Sequence, residues 1–450
     1  MRWWPPIAFL ALALILRVPF FFVDIVDWDE STFIVMGSAW ADGHLPYVKL
    51  WDNKPPLCFA PFAAVVALFG KSIVAVRVLG LLCVVGAALC VWRVGEHLLS
   101  PRAGVIAGLA CVVLATFASR GQATMSETIA ILPLAAALWF LLVHGERSQR
   151  LGFAGACLSV AALIRLNLAV VALAALLWWV LKRRRSSWLL VAGGTAPLLL
   201  TFLPYALTGD LRLAWTSVFV APLVYALSGL GVLAMAAPVA LPGLFWWLAG
   251  ATALSILVSG GGAAHYWIQI HPFSALLVGA LVDAGLTRAG KAQPYVAVMA
   301  CLLIPVAGVL SDARWTTAVT RMGSVHGRSL ELASYLQEKK LREGELLLLA
   351  DHLAYWWLDV YPPHRMATHP SSMFRPNLAQ AATGRRPEGI LQEIFSRPPR
   401  VIVREEYVRH LDASPAAKTL LEQELADHYT LETEISGLKV FVRTSPEFPD

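Results

Sequence analysis

Residues 24–56 read DIVDWDESTFIVMGSAWADGHLPYVKLWDNKPP. The stretch follows one apolar run directly and leads directly into another. It holds six carboxylates (Asp24, Asp27, Asp29, Glu30, Asp42 and Asp52), Asn53 and two lysines, in a chain that is only 15% charged. Within it Asp29-Glu30 is an adjacent acid pair, and Lys54-Pro55-Pro56 closes the polar segment. A polar loop of this kind between apolar runs fits a chain folded in a bilayer.

The rest of the composition supports that class. Of the 450 residues 58% are hydrophobic, whereas a soluble globular protein is nearer half apolar and about a quarter charged. Apolar runs of about 20 residues, the length that crosses a bilayer, recur along more than half the chain. This predicts a polytopic α-helical membrane protein. The formal net charge of +6 does not indicate a nucleic-acid partner, because the basic residues sit in short clusters between apolar runs, where cytoplasmic loops gather Lys and Arg. The six cysteines lie in or beside apolar runs without CxxC spacing and read as small core hydrophobes, with no disulfide framework and no zinc site. Arg2 ahead of an apolar run imitates a signal peptide, but no small-x-small cleavage site follows, so a retained first helix is expected.

The apolar pattern places spans near 7–23, 73–94, 103–118, 128–144, 151–165, 167–181, 188–207, 216–236, 240–258, 266–286 and 293–310, about eleven crossings. Residues 57–70 are apolar but short for a crossing and read as an interfacial or re-entrant helix. With the amino terminus inside, the inner loops carry Arg93 and Arg102, Arg147 and Arg150, the cluster Lys182-Arg183-Arg184-Arg185, and Arg288 with Lys291. The acidic loop then faces the exterior, and an odd number of crossings puts the tail there too. Counting 57–70 as a span would place the basic cluster at 182–185 outside. From Ser311 the composition turns polar. Residues 312–450 predict a small soluble α/β domain, with helices over 328–340 and 415–427 and strands over 345–350, 400–404 and 438–443. The expected organisation is therefore a membrane domain over 1–311, with 24–56 as its active-site loop, and an extracytoplasmic domain over 312–450.

Two readings compete at each polar position. Asp29 and Glu30 either cap the helix that starts near Ser31 or supply a carboxylate at the membrane surface as general base on a hydroxyl. The following residues predict a helix at the interface with Phe33, Ile34, Met36 and Trp40 toward lipid or protein. Lys54, fixed by two prolines, is either an interfacial lysine that snorkels or a cation for a phosphate leaving group. Glu127 stands where a helix N-terminal acid stands, and Arg120 is a boundary arginine in the same loop. Arg165 lies between two apolar runs, where an arginine either snorkels or forks onto phosphate. His265 and Tyr266 follow a glycine run. An aromatic belt accounts for Tyr266 but not for His265, and both side chains can donate to phosphate oxygens. In the tail, Asp351-His352 and Tyr355-Trp356-Trp357 follow a strand and read as packed core before they read as a sugar-binding face.

The order of apolar helix, Asp29-Glu30, interfacial helix, DGHLPYVKLWDNKPPL and apolar helix resembles the first external loop of the GT-C glycosyltransferases. It is most similar to the bacterial relatives of the dolichyl-phosphate-mannose protein mannosyltransferases, a group that includes the aminoarabinose and galacturonic acid transferases of lipopolysaccharide. The resemblance covers about residues 1–310 in topology. It implies an inverting transferase that moves a monosaccharide from a polyprenyl-phosphate carrier to an envelope glycan, lipid or protein acceptor outside the membrane. It implies Asp29 as the base with Glu30 in support. Lys54, Arg165, His265 and Tyr266 would lie near the carrier phosphate, and Asp52, Glu127 and Arg120 are candidates for sugar or acceptor contacts. Arg17 also recurs in the group. Aminoarabinose transferases carry an acid just before the lysine of the KPP motif; here Asn53 stands there and Asp52 one place earlier, which argues against aminoarabinose and weakens a metal site. No cofactor is implied with certainty, and the acid pair is a candidate for a divalent cation. The alternative function is a transporter or flippase for a lipid-linked or anionic substrate, with the same residues lining a path. Against it stand the scarcity of mid-span charge and the lack of paired inverted repeats.

Overall fold

The computed structural model describes residues 4–144, 148–182, 186–222, 241–259, 264–288 and 313–444. The chain divides into two compact units: Met1–Val26, Ile73–Leu203 and Ala226–Ser324 form one, and Asp27–Ser72, Pro204–Tyr225 and Val325–Asp450 form the other.

The first unit is helical. Among the described residues five helices are long and apolar enough to cross a membrane: Trp4–Phe22, Ile73–Leu98, Ser126–Val143, Ser187–Thr208 and Ala264–Gly285. Pro101–Phe117, Gln149–Ile164, Leu166–Lys182 and Gly243–Val258 are apolar but shorter. Each coincides with a span expected from the sequence. The expected span at 293–310 lies outside the described residues, and that at 216–236 is described only to residue 222. Lipid offers no hydrophobic drive between helices, so close backbone approach at small residues substitutes for it. Gly95 lies against Gly104, where a Cβ would stand 2.8 Å from the facing Cα. Ser100 caps the second of these helices, its hydroxyl accepting from the Ala103 amide at 3.0 Å, and Pro101 occupies the first turn, where it sacrifices no hydrogen bond. Two buried arginines of this unit bond to main-chain carbonyls. Arg17 donates to Gly121 O at 2.7 Å and Gln122 O at 3.3 Å, and Arg77 to Phe20 O at 3.1 Å and Val23 O at 2.9 Å.

The second unit joins the acidic loop to the polar tail. Asp27 is the N-cap of the helix Trp28–Ala41, its carboxylate accepting from the Asp29 amide at 2.9 Å. Phe33, Ile34 and Met36 of that helix are buried in protein. The apolar 57–70 segment forms a helix of only 10 residues, Ala60–Phe69, far below the length of a crossing. It packs on the first helix, with the Phe33 ring 6.1 Å from Phe59 and 5.9 Å from Phe62. The tail carries a four-stranded sheet, β1 (Leu346–Leu348), β2 (Val401–Glu405), β3 (Tyr429–Ile435) and β4 (Leu438–Arg443), in the order β1-β2-β4-β3. β1 and β2 are parallel, with Leu347 opposite Ile402; β2 and β3 both run antiparallel to β4. Ser436 and Gly437, both at positive φ, make the two-residue hairpin turn between β3 and β4. β1, β2, β4 and the helix Pro415–His428 stand where the sequence predicts them. β3 is an addition: Tyr429, Leu431 and Ile435 alternate along it, but only Tyr429 of its seven residues is buried.

Candidate functional site

The second unit holds the acid pair and Lys54. The N-terminus of Trp28–Ala41 favours negative charge, and Asp29 and Glu30 both lie in its first turn. Successive residues of a helix point about 100° apart, and the two acids separate accordingly. Glu30 is wholly buried, while the Asp29 side chain is 24% exposed. Asp29 Oδ2 stands 3.9 Å from Lys54 Nζ. Lys54 also reaches Asn53 Oδ1 at 3.3 Å and lies over the Phe33 ring, 6.0 Å from its centroid. Its main chain is anchored. The Tyr47 hydroxyl donates to Lys54 O at 2.5 Å, and Tyr47, buried and at φ 74°, stacks on Tyr205. Trp51 is equally fixed: its indole donates to Ser217 Oγ at 2.9 Å and its amide to Arg365 O at 3.0 Å. Asp52 is buried, 2% exposed.

The tail closes round the same helix start. Asp29 Oδ1 lies 3.2 Å from His369 Nε2, and Thr32 Oγ1 shares a 2.8 Å hydrogen bond with His352 Nε2. The Trp28 ring is flanked by His352, His369 and His410, with centroids 5.1, 6.4 and 5.4 Å away. Burial, with His369 nearby, holds the His352 imidazole well below its ordinary pKa, so it is neutral.

The first unit holds the remaining candidates. Glu127 opens the helix Ser126–His144, and Arg165 ends the helix Ser148–Ile164 in extended conformation. The two form an ion pair, and Arg165 also donates to Ser126 Oγ at 3.0 Å and Asn167 Oδ1 at 3.2 Å. The guanidinium lies 4.4 Å above the Tyr266 ring, and His265 Nε2 stands 3.8 Å from the Glu127 carboxylate. Asn167 extends the group, donating to Gln269 Oε1 at 2.9 Å and Ser255 Oγ at 3.2 Å. Glu127, Arg165, His265 and Tyr266 are thus one cluster; the sequence reading groups the last three at the carrier phosphate and sets Glu127 apart as a sugar or acceptor contact. Arg120 stands apart from it, exposed, at φ 62°, donating to Val26 O at 3.1 Å. Within the second unit the structure brings together Asp29 and Lys54.

Residues 53–209 match the family model of the dolichyl-phosphate-mannose-protein mannosyltransferases. ArnT from Cupriavidus metallidurans, solved bound to undecaprenyl phosphate, matches with a TM-score of 0.61 and 16% identity over 99% of both chains. Its apo form gives 0.57 and 16% over 97% of both. The archaeal oligosaccharyltransferase AglB from Archaeoglobus fulgidus, in complex with an inhibitory peptide and a dolichol-phosphate, gives 0.53 and 12%, covering all of this chain and 75% of AglB. The chain shares its fold with ArnT and AglB, and its residues 53–209 are similar to the protein mannosyltransferases. No curated protein sequence matches it.

The sequence reading missed His369 and His410 of the tail. His369 precedes Pro370 in an ordinary helix-start pattern, and His410 sits in a charged segment, so neither carries a signal of its own. His352 reads in the sequence as packed core first and as part of a sugar-binding face second. It is buried, but bonded to Thr32, 320 residues away. Tyr355 is core: its hydroxyl accepts from the Leu348 amide at 2.8 Å and donates to Leu346 O at 3.1 Å. Of the acid pair, Glu30 is wholly buried and Asp29 partly exposed. Among the described residues no three His, Cys, Asp or Glu side chains gather as a metal site.

Proposed function

We propose that this protein is an inverting glycosyltransferase that moves a monosaccharide from a polyprenyl-phosphate carrier to a hydroxyl of an envelope glycan, lipid or protein, on the extracytoplasmic side of the cell membrane. The observation that carries the reading is Asp29: a partly exposed carboxylate at a helix N-terminus, in an otherwise apolar chain, with the Lys54 ammonium 3.9 Å away. A base and a cation side by side are what displacement of a phosphate by an alcohol needs. The GT-C relatives solved with undecaprenyl phosphate and dolichol-phosphate support a lipid-phosphate donor.

In this reading Asp29 takes the proton of the acceptor hydroxyl as its oxygen attacks the anomeric carbon from the face opposite the phosphate. An oxocarbenium-like centre develops. The bond from anomeric carbon to phosphate oxygen breaks, and the lipid phosphate leaves with the electron pair toward Lys54. Arg165, His265 and Tyr266 are assigned to the carrier phosphate as well. Because Glu127 already neutralises Arg165, the guanidinium serves there as a donor of fixed direction rather than as free charge. Glu30, being buried, supports the helix start that presents Asp29, and Asp52 supports the lysine loop.

The test is transfer in proteoliposomes from a panel of radiolabelled polyprenyl-phosphate sugars to total-membrane acceptors. Asp29→Asn should lose 10²- to 10⁴-fold in rate, the usual worth of a general base, at unchanged folded yield. Equal label transfer by Asp29→Asn sinks the assignment. Labelled lipid crossing the bilayer without transfer replaces it with a transporter.

A further inference from the structure

We propose that His369 is a positioning residue for Asp29, so that the polar tail completes the acid–base apparatus begun in the acidic loop. The functional consequence rests on the transferase reading; the pair itself rests on geometry.

Nε2 of His369 lies 3.2 Å from Asp29 Oδ1, with the two side chains 12% and 24% exposed. An ionised carboxylate only accepts hydrogen bonds, so Nε2 carries the proton and donates. In the neutral ring Nδ1 is then the acceptor, and two hydroxyls stand ready to donate to it: Ser371 Oγ at 2.7 Å and Ser372 Oγ at 3.1 Å. Both serines belong to the short helix Pro370–Met373, for which His369 is the N-cap residue. Trp28 meets the imidazole edge-on at 71°, and His352 meets it at 62°. The plainer account, a histidine that happens to precede a helix, explains the serine contacts but not the carboxylate. With both ring nitrogens engaged and two rings against it, the imidazole has one orientation, and that orientation points at Asp29.

The consequence is a division of labour on one carboxylate. Oδ1 is held by His369, and Oδ2 faces Lys54. A hydrogen bond to the charged form favours ionisation, so neutral His369 keeps Asp29 deprotonated and fixes the plane of its lone pairs. Protonating His369 places a full cation there and weakens the base. The titratable groups around the imidazole are Asp29, with Lys54 beyond it, from the loop, His352 after β1 and His410 after β2.

The test has two arms on the full chain in micelles or proteoliposomes. In the first, ¹⁵N-histidine spectra of the wild type, Asp29→Asn and His369→Gln identify the His369 resonances by their loss in the last. The expected result is an Nε2–H tautomer whose Nε2 resonance moves in Asp29→Asn. An Nδ1–H tautomer, or an Nε2 resonance indifferent to Asp29, overturns the pair whatever the activity. In the second, transfer from radiolabelled polyprenyl-phosphate sugars is followed against pH. His369→Leu should lower kcat ~10- to 100-fold, leave donor KM in place and move the acid limb. His369→Gln, which keeps a donor near the Nε2 position, should recover part of it. An unchanged kcat and profile in His369→Leu overturns the positioning role. A wild type inert with every donor, yet showing the Nε2–H tautomer and its response to Asp29→Asn, sinks the transferase reading and leaves the pair standing.

Discussion

The Arg165 guanidinium and the Glu127 carboxylate form an ion pair nearly sealed from solvent, the side chains 5% and 0% exposed. Breaking a buried pair leaves a bare charge and costs about 3–5 kcal/mol, whereas replacing both partners by apolar residues is often neutral. Glu127→Leu and Arg165→Leu should therefore each lower the thermal midpoint in detergent, and the double variant should recover it. If Arg165 also serves the carrier phosphate, the double variant stays inactive in sugar transfer although it is stable. A double variant as unstable as the singles means that the pair is not what holds these helix ends.

Gly37 is the contact point of the helices Trp28–Ala41 and Ala60–Phe69. A Cβ there would stand 2.5 Å from Phe62 Cβ and 2.8 Å from the Ala63 amide nitrogen. Main chain cannot yield as a flexible side chain does, and overpacking costs about 1–3 kcal/mol. Gly37→Ala should lower the thermal midpoint despite the better helix propensity of alanine. Gly250→Ala, in a helix where nothing lies within 4 Å, is the control and should hold or raise it. Equal behaviour of the two variants would show that the helices do not pack at Gly37.

Much of the fold was legible because a bilayer leaves a strong mark: apolar runs of crossing length fall on the helices at 73–98, 126–143 and 187–208 almost to the residue. The 57–70 segment was legible for the converse reason, being too short. The candidate site divides differently. Asp29 and Lys54 share a local motif, and sequence alone singles them out. His352 and His369 meet Thr32 and Asp29 across more than 300 residues, and no period or spacing carries such a contact. Nor does sequence separate Asp29 from Glu30. Adjacent in the chain, they differ only once the helix turns one inward and the other outward.

The buried imidazoles of the second unit set an acid limit on its stability. Burial lowers the pKa of His352 strongly and those of His364 and His410 less. In the unfolded chain each takes up a proton near its ordinary 6.5; in the folded protein it does so only at lower pH. Stability is therefore full above about pH 6.5 and is lost as the pH falls below it, by up to about 1.4 kcal/mol per pH unit for each such group. Thermal midpoints measured from pH 7.5 to 5 should fall, and more shallowly in His352→Gln. A midpoint that is flat across this range, or equally steep in that variant, shows that His352 is not held neutral.

The orientation proposed for the loop and tail predicts which side of the membrane a reagent reaches. Leu431 on β3 is 51% exposed, so Leu431→Cys should react with a membrane-impermeant maleimide added to intact spheroplasts. Arg93, whose side chain is 48% exposed, lies near the C-terminal end of the helix Ile73–Leu98, an end assigned to the cytoplasm by its positive charge, and Arg93→Cys should react only after lysis. Cys58, Cys83 and Cys111 are buried but Cys90 and Cys157 are partly exposed, so both probes are placed in a variant whose six native cysteines are replaced by serine, and that parent sets the background. Labelling of Arg93→Cys but not of Leu431→Cys in intact cells would invert the topology. An Asp29 base on the cytoplasmic side would then draw on a donor and an acceptor of that compartment, and the envelope acceptors would have to be abandoned.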